Sequence, residues 1–488
     1  MPSESNRNRL FRRTVAMVNR HAFQKQSQRP PSRMARSFVS SPPLDQLYEE
    51  GKSLRVKCPR QSHALWKPPL NRPDPISLLE KSSIGRIPRL VPVRYRRMMQ
   101  SPFTFYRGAA LNMAEDLANT PVSGLRVQVC GDCHLLNFGF FATPERREIF
   151  DINDLDETLP APWEWDVKRL AASFVLASRS NGFSEQRARD TALSCVRSYR
   201  ERMAEFSRMS VLDVWYAHID IEDLIPKIKD QQTQKRLRKR SAVARNRNVL
   251  EHDFPKLAES GGRLPKIKDN PPLIYHWRKG QQEFSSEVQV AFAKYQETLE
   301  EDRQLLLSHY QLRDIAIKVV GVGSVGTWCG IALLLASGRD PLFLQVKEAR
   351  ASVLEAYAGK SIFPNHGQRV VNGYRLMQSA SDLFLGWTVG PLGRQFYVRQ
   401  LKDMKIKLLV ELFSPSVMMQ YAELCGWALA MAHARSGEPS KISGYVGKSD
   451  KFDEAVADFS VAYADQSERD HKILMKAVRE GRIEIERE

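Results

Sequence analysis

Two short stretches of this 488-residue chain carry residue types and spacings that could do chemistry. The first, CGDCHLLNFGFFATPERREIFDINDLDE, runs from Cys130 to Glu157. It puts Asp132, His134 and Asn137 in one polar loop and Asp151, Asp154 and Asp156 around a second, with apolar strand-forming residues between. Phosphoryl transfer needs such a set: a carboxylate to accept or orient a hydroxyl proton, and an amide plus a second carboxylate to hold Mg²⁺ on a triphosphate. Four residues separate Asp132 from Asn137, the spacing of base and metal-binding Asn in phosphotransferase loops of this kind. Asp132 is therefore the candidate base. Asn137 with Asp151 or Asp154 is the candidate metal set, and His134 would shape the loop or touch substrate. A plainer reading has the acids of the second loop capping turns and pairing with Arg146, Arg147 and Lys168 on a solvated surface.

The second stretch begins at Asp314 and holds Gly321, Gly323, Ser324 and Gly326 in a GxGxxG pattern after an apolar run. Two unrelated folds use that pattern. In a dinucleotide-binding unit the third glycine opens a helix and an acid about twenty residues on, here Glu348, takes the ribose. In a phosphate-covering hairpin the next strand carries a Lys toward the phosphates, and Lys347 at the end of LFLQVK suits that role. SGRD is good hairpin chemistry, while Gly330 inside a helix would cost about 1 kcal/mol relative to Ala. The two readings demand different backbones from Thr327 to Ser337: helix for the first, strand for the second. Glu355, on the helix expected in ARASVLEAYAG, would pair with Lys347, or sit on the helix surface beside Lys360 or Arg350.

GDCHLLN resembles the HGDxHxxN loop of aminoglycoside and choline kinases, with Cys130 in place of the leading His. IFDIND is similar to their IIDFDD strand end, and PAPWEWDVKRLAAS to their GDPxxDLA helix start, where Asp166 would brace the catalytic loop. The order is reversed here, because the Gly-rich loop and Lys347 come nearly two hundred residues after the acidic loops. The resemblance thus implies an α+β, protein-kinase-like two-lobe fold in circularly permuted order, with a helical catalytic lobe and a small antiparallel-sheet nucleotide lobe. It implies ATP and Mg²⁺ as cofactors and an unidentified hydroxyl acceptor, expected to be a small molecule. Nucleotidyl transfer, a nucleotide-binding regulatory protein without turnover, and a nicotinamide-dependent oxidoreductase built on GVGSVG are the alternatives. From Arg72 onward the chain also resembles the bacterial family called domain of unknown function 2252, through RPDPISLLE, RYRRMMQSPFTFYRGAA, GDCHLLNFG, FDINDLDET, EWDVKRLAAS, KVVGVGSVGT and AHARSG. Leu155 stands where that family usually has Phe.

CGDCH also matches a haem-attachment pattern with a CxxC core. NFGFF after it reads as strand and no secretory signal is apparent, so both cysteines are expected to pack around the loop. Six irregularly placed cysteines argue for a reducing, cytoplasmic setting. The net charge of +18 suits anionic partners such as nucleotides, nucleic acid, acidic proteins or lipid surfaces. No apolar run reaches the roughly 18 to 20 residues of a membrane span. KRLRKRSAVARNRN, over residues 235–248, has no interleaved aromatics and reads as a solvated insertion rather than a single-strand platform. The expected organisation is a disordered basic tail over 1–45, a first helical part with the acidic loops over 46–225, and the basic insertion over 226–270. A linking part over 271–311 with a helix expected over Glu283–Tyr310, the glycine-rich nucleotide part over 312–402 and closing helices over 403–488 follow; RLMQSASDLFLGWTV and RQFYVRQLKDMK read as two further strands, with a hinge to the helical lobe at QLKD.

Overall fold

The computed structural model describes residues 42–486 except 229, 246–253, 260–264, 277–280, 320, 338–339 and 402–407. The expected tail lies almost wholly outside this range, as do the turn of SGRD, Lys402 and Asp403 of the expected hinge, and the end of the basic run. The chain is a mixed α+β protein with small antiparallel sheets.

The helical body is built around a long buried core. Its main elements are α1 (Pro102–Gly108), α2 (Trp163–Ser180), α3 (Glu185–Phe206), α4 (Gln231–Arg245), α6 (His366–Met377), α7 (Pro415–Ser436) and α8 (Lys451–Arg479), while α5 (Gln281–Gln296) packs on the sheet instead. Capping follows the sequence signals. Asp74 caps a helix over Pro75–Ser83 by accepting from the Ser77 amide, and Ser414 caps α7 by accepting from the Val417 amide, with Pro at the first helical position in each. Trp163, Phe174, Tyr199, Met418, Leu429 and Phe452 meet in one cluster at no more than 1% exposure, so α2, α3, α7 and α8 bury their apolar faces together.

Strands β1 (Arg126–Val129) and β4 (Leu159–Pro162) pair antiparallel, and β2 (Phe138–Ala142) forms a hairpin with β3 (Glu148–Ile152). The loops joining β1 to β2 and β3 to β4 are the two acidic loops. In the basic insertion, β5 (Ala258–Glu259) pairs with β6 (Lys266–Ile267). On α4, Lys235, Arg236, Arg238 and Lys239 are exposed, while Leu237 and Ser241 anchor the helix; the Ser241 hydroxyl bonds the Glu148 carboxylate.

A six-stranded antiparallel sheet runs in the order β11-β12-β10-β9-β8-β7, from β7 (Ile274–Tyr275), β8 (Tyr310–Lys318), β9 (Cys329–Ala336), β10 (Asp340–Glu348), β11 (Gly386–Val389) and β12 (Gln395–Gln400). Successive side chains take opposite faces. Ile331, Leu333 and Phe343 pack with Ala258 and Ile267 on one face; Ala332, Leu334 and Leu344 pack with Tyr295, Leu299 and Leu307 on the other. The glycine-rich segment joins β8 to β9, so the backbone after it is strand. The helix that a dinucleotide-binding unit requires is absent between Thr327 and Ser337, where β9 stands instead.

Other expectations need correcting. Arg375 to Met377, expected as strand, form the last turn of α6, which ends at Met377; Val370, Val371, Tyr374 and Met377 pack at helical spacing on the body core. The linking helix expected over Glu283–Tyr310 breaks at residues 297–300, and Tyr310 opens β8. ARASVLEAYAG yields only the short helix Glu355–Ala358.

Candidate functional site

The two acidic loops are fastened to each other and to α2. Asp166, in the first turn of α2, accepts the Cys130 amide at 2.5 Å and the Gly131 amide at 3.1 Å, and His433 of α7 lies 3.3 Å from it. This is the brace expected of it. Gly131 has φ +81°, and a Cβ there would meet the Glu157 carbonyl oxygen at 2.4 Å, so only glycine lets the loops approach this closely. The Asn153 amide donates to the Asn137 carbonyl at 2.6 Å. Arg369 of α6, 1% exposed, donates to the carbonyls of Thr158, Asp156 and Arg350. It ties the second loop to the chain beyond β10.

Asp132 stands on the first loop with its side chain 23% exposed. Arg169, one helical turn after Asp166, donates to Asp132 Oδ1 through Nε at 2.8 Å and also through Nη2. The Asn137 side-chain amide donates to the Asp132 carbonyl at 2.6 Å, which leaves Oδ1 of that amide as the atom able to hold a cation. His134 is 4% exposed and its Nδ1 is buried without a hydrogen-bond partner. Burial, which penalises the charged ring, pushes its pKa down to about 3.

Lys347 reaches the second loop from β10. Its Nζ lies 2.7 Å from Asp156 Oδ2 and 3.4 Å from Asp154 Oδ1, and Tyr397 of β12 donates to Asp156 Oδ1 at 2.6 Å. Burial alone would lower the Lys347 pKa, but Asp154 and Asp156 outweigh it and hold the ammonium above its ordinary range. The acid pairing with Lys347 is therefore Asp156, not Glu355. Glu355, on a helix of only four residues, sits 3.7 Å from His366 instead. Asp151 and Asp154 also separate. Asp151 is fully buried on β3, with its oxygens taken by the Ile152 amide and by the amide and hydroxyl of Ser379. It pins the hairpin and is not placed to hold a metal. Asp154, with a side chain 34% exposed beside Lys347, is the carboxylate that faces the cleft. Of the cations in the plainer reading, Arg147 pairs with Asp220 and Lys168 is buried in the core.

The glycine-rich loop closes over this cleft. A Cβ on Gly323 would lie 3.1 Å from the Arg107 carbonyl oxygen and 4.0 Å from Asp132 Oδ2. Three groups from the N-terminal side hold the loop: Arg97 donates to the Gly321 carbonyl at 2.5 Å, Arg86 to that of Val325 at 2.6 Å, and the Ile87 amide to that of Gly326 at 2.7 Å. Asp132, Asn137, Asp154, Lys347 and Gly323 thus converge, although the acidic loops and the Gly-rich hairpin are far apart in sequence.

A family model described as an uncharacterised protein conserved in bacteria (DUF2252) matches residues 86–477. The chain belongs to the DUF2252 family. No curated protein and no solved structure matches this DUF2252 chain. The matched range includes both acidic loops, the Gly-rich hairpin and Lys347, so every group of the cleft falls inside the family's shared region.

Sequence reasoning missed Asp156, Tyr397 and Arg169 as parts of the site. Asp156 was one of three acids in the loop, and Arg169 lies at helical i+3 from Asp166, facing the same side; nothing local marks Tyr397. The Cys130 and Cys133 sulfurs lie within 4.8 Å of each other and of an Asp166 oxygen, close enough for a metal. Both thiols are buried, which raises their pKa, and the Asp166 carboxylate already holds backbone amides. The pair packs around the loop, as expected. All six cysteines are free and buried, and no helix among the described residues is long and apolar enough to cross a membrane. A cavity of about 670 Å³ opens between the sheet and α5, lined by Phe292, Tyr295, Leu344 and Val346. Leu344 and Val346 alternate with Lys347 along β10, so this cavity lies on the opposite sheet face from the cleft.

Two buried neutral histidines make stability depend on pH. Burial pushes the His63 pKa down to about 2 and that of His134 to about 3, against about 6.5 in an unfolded chain. The unfolded chain therefore binds more protons below pH 6.5, and the stability from both groups is lost progressively as pH falls from there toward 3 and 2. At pH 5 each should have cost on the order of 2 kcal/mol. Urea midpoints at pH 7, 6 and 5 should fall accordingly, and the fall should flatten in His63→Asn; an unchanged slope in that variant would contradict the assignment.

Proposed function

We propose that this DUF2252 chain is an ATP- and Mg²⁺-dependent phosphotransferase acting on a hydroxyl acceptor, a small molecule, in a protein-kinase-like two-lobe arrangement with permuted chain order. One observation carries the reading: Lys347, on a strand of the Gly-rich hairpin, ion-pairs with Asp154 and Asp156 of a loop 193 residues upstream. That pairing supports a single cleft holding a base, a cation site and a phosphate-facing Lys. In this reading Asp132 accepts the acceptor's hydroxyl proton, held in place by Arg169. Asn137 and Asp154 would hold Mg²⁺, which would supply charge neutralisation along the triphosphate. Lys347 meets the phosphates, with Asp156 and Tyr397 fixing its ammonium, and Gly321, Gly323, Ser324 and Gly326 cover them with backbone. The strand after the glycines counts against the nicotinamide alternative, which needs a helix there.

Thermal shift with and without Mg-ATP tests the proposal. A ligand that binds only the folded chain at roughly 100 times its Kd adds about 2.7 kcal/mol. Wild type should gain that stabilisation, and Lys347→Ala and Asp154→Ala should each lose most of it, while Glu355→Ala should keep it. Equal stabilisation in Lys347→Ala, or none in wild type, would overturn the reading.

A further inference from the structure

Among the described residues the cleft holds one cation more than its carboxylates account for. Arg107, Arg169, Lys347 and Arg399 face Asp132, Asp154 and Asp156; the neighbouring Glu157 is matched by Arg369. Arg169 is taken by Asp132, and Lys347 by Asp156 and Asp154. Arg399 donates to the Asn153 carbonyl, the Tyr374 hydroxyl and the Gln345 side chain. Arg107 alone of the four forms no ion pair or hydrogen bond among the described residues. Its Nε is buried without a partner, and only the Phe103 ring lies beneath its guanidinium, 6.0 Å away. The residue sits at the end of α1, its carbonyl facing Gly323, with His134 and its own orphaned Nδ1 in the same neighbourhood.

Arg107 is half-buried, and a guanidinium nitrogen sealed from water with no partner is costly unless something anionic arrives to draw on its donors. The planar donor fork of Arg suits tetrahedral phosphate oxygens. We infer that Arg107, with His134 beside it, forms a phosphate-binding subsite next to Asp132, occupied by a terminal phosphoryl group or by a phosphate carried on the acceptor. The inference deepens the phosphotransferase reading and rests on the same cleft, but it requires neither adenine recognition nor turnover.

The test uses the full chain, with pyrophosphate, inorganic phosphate, ADP and ATP as probes in titration calorimetry, on wild type, Arg107→Gln and Arg107→Lys. Loss of one charged hydrogen-bonding partner should weaken pyrophosphate binding roughly tenfold to a hundredfold in Arg107→Gln, with Arg107→Lys in between. If the nucleotide's terminal phosphate is the occupant, Arg107→Gln removes the preference for ATP over ADP. If the acceptor's phosphate is, that preference persists and the binding of inorganic phosphate in the presence of ADP is lost. Pyrophosphate binding that depends on Arg107 without any adenine-nucleotide binding would keep the subsite and sink the ATP reading. The subsite is overturned if Arg107→Gln and Arg107→Lys bind every probe as wild type does, or if no phosphate species binds wild type; Mg-ATP binding that depends on Lys347 alone would then leave the phosphotransferase reading standing.

Discussion

Asp132→Asn should abolish most turnover while leaving Mg-ATP binding intact. Asn keeps an acceptor oxygen for the two Arg169 donors that hold Asp132 Oδ1, and its size is nearly unchanged, so the loop should keep its shape. What it loses is the ability to take a proton. Positioned general-base catalysis is worth roughly a hundredfold to ten-thousandfold, and ATP hydrolysis or transfer by the variant should fall by that order. Thermal stabilisation by Mg-ATP should match wild type, because Lys347, Asp154 and the Gly-rich loop are untouched. Activity within a few-fold of wild type would remove Asp132 from the role of base. Loss of nucleotide binding together with activity would assign it to the nucleotide site instead.

The largest effect on stability is expected at Arg72. Its guanidinium bonds both oxygens of Asp116, at 2.7 and 2.8 Å, and both of Asp470, at 2.9 and 2.6 Å. The side chains are 9%, 2% and 3% exposed. Two buried carboxylates thus share one cation, and Tyr463 and Gln466 complete their hydrogen bonds. Arg72→Met leaves both charges uncompensated, a change that costs about 3 to 5 kcal/mol at buried pairs. The urea midpoint should drop accordingly, and the added substitution Asp116→Asn should recover part of the loss by removing one orphaned charge. A midpoint shift below about 1 kcal/mol, the range of exposed pairs, would mean that solvent reaches the cluster.

Much of the framework was legible because it is written in local chemistry. Apolar runs around GVGSVG, with turn residues after them, announce a hairpin, and Lys347 stands at the strand end where the pattern puts it. Asp74 and Ser414 announce helix starts through proline at the next position. Asp166 reads as a brace through the resemblance of PAPWEWDVKRLAAS to a kinase helix start, and the buried Cys130 and Gly131 amides that need an acceptor find it there. Illegible features depend on what lies across space. Asp151, Asp154 and Asp156 look alike in sequence, yet one is consumed by Ser379, one faces the cleft and one grips Lys347. Glu355 had suitable spacing for a lysine partner, but the acid already beside Lys347 on the second loop took that place. RLMQS is ambiguous because so short a window of mixed polarity fits period 2 and period 3.6 about equally well.

The core of the helical body is discontinuous in sequence. Trp163, Phe174 and Tyr199 pack with Met418, Leu429 and Phe452, and the whole six-stranded sheet is encoded between those two groups. During synthesis, α2 and α3 leave the ribosome able to pack on each other, but the faces that α7 and α8 cover stay open until those helices follow. The helical core is thus completed only after the sheet that carries Lys347 has been made. Long-range pairings of this kind slow folding, and the exposed faces of α2 and α3 are what a chaperone would meet first.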